Sequence, residues 1–158
     1  MLLNKTLVLF IMILIQVIIL YWYTNKHNIS VTEIFIPSVP VLHVGDIPIR
    51  VEIARTDEER IQGLSGRESL ENLKGLLFIF PETAYHQIWM KDMNFPIDIL
   101  WISEDLVVID IDENVSPDTY PRSFRPERPV RYILETNAHY VDTFGLQVGQ
   151  EVKLPPKK

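Results

Sequence analysis

The stretch Gly75-Leu76-Leu77-Phe78-Ile79-Phe80, stopped by Pro81, decides how the rest of the sequence reads. It is an apolar run of strand length closed by a residue that cannot donate to a ladder, so it predicts a β-strand. Upstream, Ile47, Ile49, Val51 and Ile53 alternate with Pro48, Arg50, Glu52 and Ala54 as in a half-buried strand, and Pro48 predicts that this strand starts at an edge. Between the two, Thr56 with Glu59 and Ser65 with Glu68 form capping-box patterns, so two short helices are expected around the turn-prone Gly63-Leu64-Ser65-Gly66. Downstream, Tyr85 to Lys91, Ile97 to Ile102 and Leu106 to Asp112 are further strand candidates, separated by Asn94-Phe95-Pro96 and Ser103-Glu104-Asp105. Pro117, Pro121, Pro126 and Pro129 exclude regular structure from the loop that follows. Val130 to Thr136 returns to strand. Asn137 is expected to cap a short helix through Phe144, with Gly145 as its stop and Glu151 to Leu154 as a last strand. Many short strands with brief helices predict a mainly β fold with short helices (α+β), curled into a small barrel-like sheet.

The N-terminus has a different character. From Leu7 to Tyr23 every residue except Gln16 is apolar or aromatic, long enough for one transmembrane helix, and Tyr21, Trp22 and Tyr23 suit a membrane interface. Tyr21 to Lys26 offers no small-residue cleavage site, so an uncleaved anchor is expected. The domain plan is then an N-terminal membrane anchor over 1–25, an extended linker with Pro37 and Pro40 over 26–46, and a soluble β-rich domain over 47–158. Lys5 and Lys26 nearly balance across the span. We expect a single-pass protein with a short N-terminal tail and the larger domain extracytoplasmic.

Composition narrows the chemistry. The 158 residues, 47% hydrophobic and 23% charged, fit one ordinary core, and the absence of Cys removes disulfides, thiolate metal sites and cysteine nucleophiles. With 21 Asp and Glu against 15 Lys and Arg, no nucleic-acid partner is expected. His27, His43, His86 and His139 lack ligand spacing. Asp110, Asp112 and Asn114 begin like a calcium loop, but Val115 stands where its turn glycine is needed. Neither a metal nor a cofactor is expected, and no hydrolase elbow, phosphate loop or dinucleotide fingerprint appears.

Two features stand out. As a strand, Tyr85 to Lys91 would set Tyr85, Gln87, Trp89 and Lys91 on one face, mixing rings with hydrogen-bonding ends as a pocket wall does. Equally, Trp89 would cap the core while Lys91 snorkels over it. Arg122, Arg125, Arg128 and Arg131 recur every three residues, an anion-holding ridge in a polyproline conformation or partners for the surplus carboxylates. Asp98 and Glu135 each sit within an apolar strand, where burial raises a carboxyl pKa unless a cation such as Lys91 or Arg60 is beside it.

These residues together, Glu59-Arg60-x-x-Gly63-Leu64-x-x-Arg67, Gly75-Leu76-Leu77-Phe78-x-Phe80, Trp89-Met90-Lys91, Pro96-Ile97-Asp98-Ile99 and Leu134-Glu135, resemble the domain of unknown function 192 family over roughly residues 47–154. The resemblance implies a small β-rich fold, often exported or anchored, and no established activity. Arg60, Arg67, Trp89, Lys91, Asp98 and Glu135 look like its polar and aromatic signature. The chain departs from it at Asp92, where an Asn is common, and at His139.

Three expectations follow. The first is a membrane-tethered domain binding a small polar or glycan-like ligand through Trp89, Lys91 and Gln87, with Asp98, Glu135, Arg60 and Arg67 around them. A second is a module that docks an envelope partner through an exposed edge strand or the Arg series. A third is a hydrolase or lyase using Asp98 and Glu135 as acid and base.

Overall fold

The computed structural model describes residues 5–26 and 39–156. The chain divides into two units, Met1–Ser38 and Val39–Lys158. In the first, α1 (Lys5–Lys26) carries an apolar stretch, Thr6–Tyr23, whose side chains are exposed. At about 1.5 Å per residue its 18 residues span roughly the hydrocarbon thickness of a bilayer, the length of a membrane anchor or a signal sequence. The Lys26 ammonium lies 4.6 Å from the centre of the Trp22 ring, within cation–π reach. Most of the expected linker, residues 27–38, lies outside the described residues.

The second unit runs, in chain order, β1 (Val41–Val44), β2 (Ile47–Ala54), α2 (Asp57–Gln62), β3 (Lys74–Ala84), β4 (Ile88–Trp89), β5 (Ile97–Ile102), β6 (Val108–Val115), β7 (Ser123–Phe124), β8 (Val130–Asn137), α3 (Tyr140–Phe144) and β9 (Val152–Lys153). Seven strands form one sheet in the order β6-β5-β8-β3-β2-β1-β9, and β4 pairs with β7 in a separate ribbon. Parallel pairing of β2 with β3 requires a crossover, and the segment containing α2 supplies it. Every other named pair is antiparallel. The sheet curls until its two ends touch: Val107 bridges Glu151, and the Val152 N–H donates to the Leu106 carbonyl at 2.7 Å. This is a half-barrel of mostly β structure, as the sequence predicts.

Two apolar layers cover the sheet. Leu42, Ile49, Leu77, Leu100, Leu134 and Val152 come from strands spread across the whole sheet yet form one cluster, which places them inside the curl. Leu76, Phe78, Ile99, Trp101 and Ile133 point the other way and pack under Leu64, Ile88, Met90 and Phe124 of the connecting segments. Strand β5 is therefore buried at all six positions. Gly75 sits where β3 presses on β8: a Cβ there would lie 2.9 Å from the Glu135 carbonyl oxygen, a contact only a glycine avoids.

Several expectations change. The β-structure begins at Val41, not at Ile47, because β1 closes on β2 through a two-residue hairpin in which Gly45 supplies a positive φ of 56°. Strand β2 is not an edge: Pro48 faces His43 of β1 and precedes the first β3 pair at Arg50, so its missing donor costs no ladder bond. Pro81 does not end β3, because the β3–β8 register shifts between Ile79 and Ala84 and leaves the proline unpaired.

Thr56 and Glu59 make the expected capping box for α2. Ser65 starts no helix. Gly63 and Gly66 hold positive φ on either side of it, and its hydroxyl donates to the Lys91 carbonyl at 2.8 Å. Tyr85 to Lys91 is strand only at Ile88–Trp89, although the alternation survives, with Ile88 and Met90 buried and Gln87, Trp89 and Lys91 exposed. The proline-rich loop holds a 3-10 turn (Pro117–Thr119) and β7. Arg131 belongs to β8 and pairs with Glu104, while Arg122 stacks 4.7 Å from the Phe124 ring centre, so the Arg series is spread over separate elements.

Candidate functional site

Strand parity in β8 sends Leu134 and Thr136 into the curl and Ile133 and Glu135 to the outer layer. There the neighbours of Glu135 across the ladder are Leu76 and Ile99, both buried and apolar. Glu135 is only 4% exposed, and among the described residues no donor bonds to its carboxyl oxygens. It lies on the wall of a hollow of about 400 Å³, open at one side and lined by Phe78, Phe80, Leu64, Ile88, Trp89 and Met93 with the polar ends of Gln62, Ser65, Gln87 and Arg60.

Burial pushes the Glu135 carboxyl up to about 8, and the more distant positive charge of Arg67 only partly opposes it. Glu135 is thus a neutral carboxylic acid at pH 7, able to donate one hydrogen bond and accept others. Arg67 is otherwise engaged. Its guanidinium forks onto Glu52 of β2 at 3.0 and 2.9 Å, which holds the Glu52 carboxyl below its usual range.

Arg60 is a wall rather than a free cation. It donates to the carbonyls of Arg55 and Ile79, pairs with Asp57, and sits 5.2 Å from the centre of the Phe80 ring. His86 stacks on Phe80 with centroids 3.5 Å apart, which fixes that ring at the rim. Gln87 accepts from the Ser123 hydroxyl at 3.1 Å, and its amide N–H groups have no partner among the described residues. Trp89, 50% exposed, stands at the mouth.

Lys91 lines a second, smaller hollow beside Trp89, with Asp92. Neither forms an ion pair among the described residues, so the Asp92 charge does not hold the ammonium.

Asp98 lies elsewhere. It is fully buried, opposite Thr136, while Glu135 is opposite Ile99, so neighbouring strands turn the two carboxylates to opposite faces of the sheet. Asp98 accepts from the Asn114 N–H at 2.8 Å and the Val141 N–H at 2.9 Å. In this way it does the capping that the sequence assigns to Asn137. Asn137 instead donates to the Leu70 carbonyl at 3.0 Å, and His139 stands at the N-cap without a side-chain bond. The acid and base pair is therefore corrected: a sheet separates its members, and Asp98 has no place in the hollow. The calcium-like residues are also spent structurally, Asp112 on the Trp101 indole N–H at 2.8 Å and Asp110 on the Ile111 and Glu127 N–H groups. Among the described residues no three His, Asp or Glu side chains gather as metal ligands would.

Of the residues singled out in the sequence, the structure brings Trp89, Gln87, Arg60 and Glu135 to one hollow, sets Lys91 and Arg67 beside it, and removes Asp98. The apolar wall formed by Leu64, Phe78, Phe80 and Met93 reads in the sequence as core or turn. Its one sequence signal is Gly63-Leu64-Ser65-Gly66, whose glycines fold the end of α2 back over β3.

A curled, mostly β sheet with short helices and an outer hollow against its central strands defines a class of small β-rich domain. The profile of the DUF192 family, described as Uncharacterized ACR, matches residues 41–154, and the chain belongs to that family. A solved structure described as a putative transcription regulator (R01717) from Sinorhizobium meliloti is 30% identical, with a TM-score of 0.69, covering 73% of this chain and 92% of that one. A protein of unknown function from Novosphingobium aromaticivorans is 27% identical, with a TM-score of 0.67, covering 72% of this chain and 83% of that one. No curated protein matches the chain.

Proposed function

We propose that this chain is a binding domain, tethered to a membrane by α1 and facing away from the cytoplasm, that holds a small polar or glycan-like ligand in the Glu135 hollow. One observation carries the reading: a buried, neutral carboxyl group with no hydrogen-bond partner among the described residues lines an open cavity of mixed apolar and polar walls beside an exposed indole. The hollow is open, so a ligand hydroxyl or carbonyl that takes the place of water can bond to this carboxyl. The indole offers a flat apolar face to the ring of that ligand, and the Gln87 amide meets its polar edge. The regulator description of the Sinorhizobium protein is not carried over, because a balance of 21 acidic to 15 basic residues works against phosphate contacts.

Calorimetric titration of the full chain in detergent with small neutral sugars and small acids tests the reading. Trp89→Ala is expected to weaken binding at least about fivefold, since base or ring stacking on an aromatic is worth ~1–3 kcal/mol. Equal binding by the variant, or no binding by the wild type, contradicts it. The orientation has its own check: a C-terminal alkaline phosphatase fusion is expected to be active, and an inactive, expressed fusion places the domain on the cytoplasmic side.

A further inference from the structure

The Glu135 hollow does not end at Trp89. A second hollow of about 240 Å³ lies against it, and the two share Ile61, Gln62, Ser65 and Trp89. On its own the second falls below the roughly 300 Å³ at which ligand pockets begin, so it reads as an annex of the first. Ile61 and Trp89, 69% and 50% exposed, line both hollows and offer apolar surface to an occupant of either. The annex is preformed. The Ser65 hydroxyl donates to the Lys91 carbonyl at 2.8 Å, and the Gly66 N–H donates to the Asp92 carbonyl at 2.7 Å, stitching its two walls together.

The charges of the annex select its occupant. Lys91 and Asp92 both line it without an ion pair among the described residues, so a bare anion meets Asp92 and a bare cation meets Lys91. A hydroxyl group suits both, because it accepts from the ammonium and donates to the carboxylate. In the first hollow, the Glu135 carboxyl likewise both accepts and donates.

We infer that the ligand is a neutral oligosaccharide of at least two units, laid across Trp89 with one unit over Glu135 and the next between Lys91 and Asp92. This rests on the binding reading above and adds the length and class of the ligand. An apolar ring face over the indole, with hydroxyls at both ends, is the shape a pyranose chain presents.

Calorimetry with glucose and N-acetylglucosamine oligomers of one to four units, on the full chain in detergent, tests it, with tetraglycine as a peptide control. Affinity is expected to rise at least about tenfold between one and three units. In the double variant Lys91→Met, Asp92→Asn that rise is expected to shrink below about threefold. Asn keeps the positive φ of 55° at position 92, so the loop survives the change. Affinity that is flat with length overturns the second subsite and leaves the Glu135 hollow as a site for one unit. Preference for tetraglycine overturns the carbohydrate assignment. Failure of every sugar to bind overturns both this inference and the reading beneath it.

Discussion

Replacing Glu135 by Gln is expected to make the protein much more stable at pH 8 and to change it by less than about 1 kcal/mol at pH 5. The folded carboxyl stays protonated up to about 8, against 4.5 for the free group, so across that window the native chain holds a proton that the unfolded chain has released. Stability therefore falls as pH rises from about 4.5 to 8 and levels off above. At 1.36 kcal/mol per unit the loss is on the order of 4–5 kcal/mol by pH 8, and a neutral amide of the same shape does not suffer it. Urea denaturation at pH 5 and at pH 8 reads the difference directly. A wild-type midpoint that does not fall between those values, or a variant that follows the same curve, contradicts the buried neutral acid. The same substitution is a trade: the new amide donates and accepts as the acid does, so the ligand site persists while its proton sensitivity goes.

The second large effect comes from the other carboxylate and has a different cause. Asp98→Ala removes the acceptor of two N–H groups, at Asn114 in β6 and at Val141 in the first turn of α3. A hydrogen bond to a charged acceptor contributes about 1.5–3 kcal/mol, so the variant is expected to lose roughly 3–6 kcal/mol and to free the start of α3. Hydrogen exchange at Val141 and the denaturation midpoint report both consequences. A loss under about 1 kcal/mol means that water or a neighbour replaces the carboxylate, and that its role as a strut is wrong. Asp98→Asn keeps one acceptor oxygen and lies across the sheet from Trp89, so where it folds it should bind ligand as the wild type does.

These two residues also show what a sequence can tell and what it withholds. Asp98 and Glu135 look alike as text, each a carboxylate inside an apolar strand. Parity within a strand is legible, and it sets Gln87, Trp89 and Lys91 outward and Ile88 and Met90 inward as expected. Parity between strands depends on register, which turns, bulges and the packing of two faces decide together. A shift of one residue in the pairing of β5 with β8 would have brought the two carboxylates onto one face. The strand Ile97–Ile102, the Thr56 capping box and the Gly145 stop are legible because each is a local signal with a local cause.

The failures have a common origin in partners distant in the chain. Ser65 carries a helix-start pattern, but its hydroxyl is taken by Lys91, 26 residues away. Val41–Val44 is too short and too near Pro37 and Pro40 to announce a strand, and it becomes one only because β2 and β9 flank it. The hollow itself is half visible. Its polar and aromatic rim appears as a mixed strand face, whereas its apolar wall is indistinguishable in sequence from ordinary core until β3 and the end of α2 are seen to stop short of filling the space.

The binding site depends on Glu135 being neutral and without a protein partner among the described residues on the wall of an open hollow. A carbon-13 NMR titration of its side-chain carboxyl in the full chain, assigned by comparison with Glu135→Gln, measures this most directly. The expected midpoint is near 8, with a further rise when a bound ligand accepts its proton in a hydrogen bond. A midpoint in the ordinary glutamate range, about 4–5, would mean that water or Arg67 already satisfies the group, and the hollow would then have no demand for a ligand to meet.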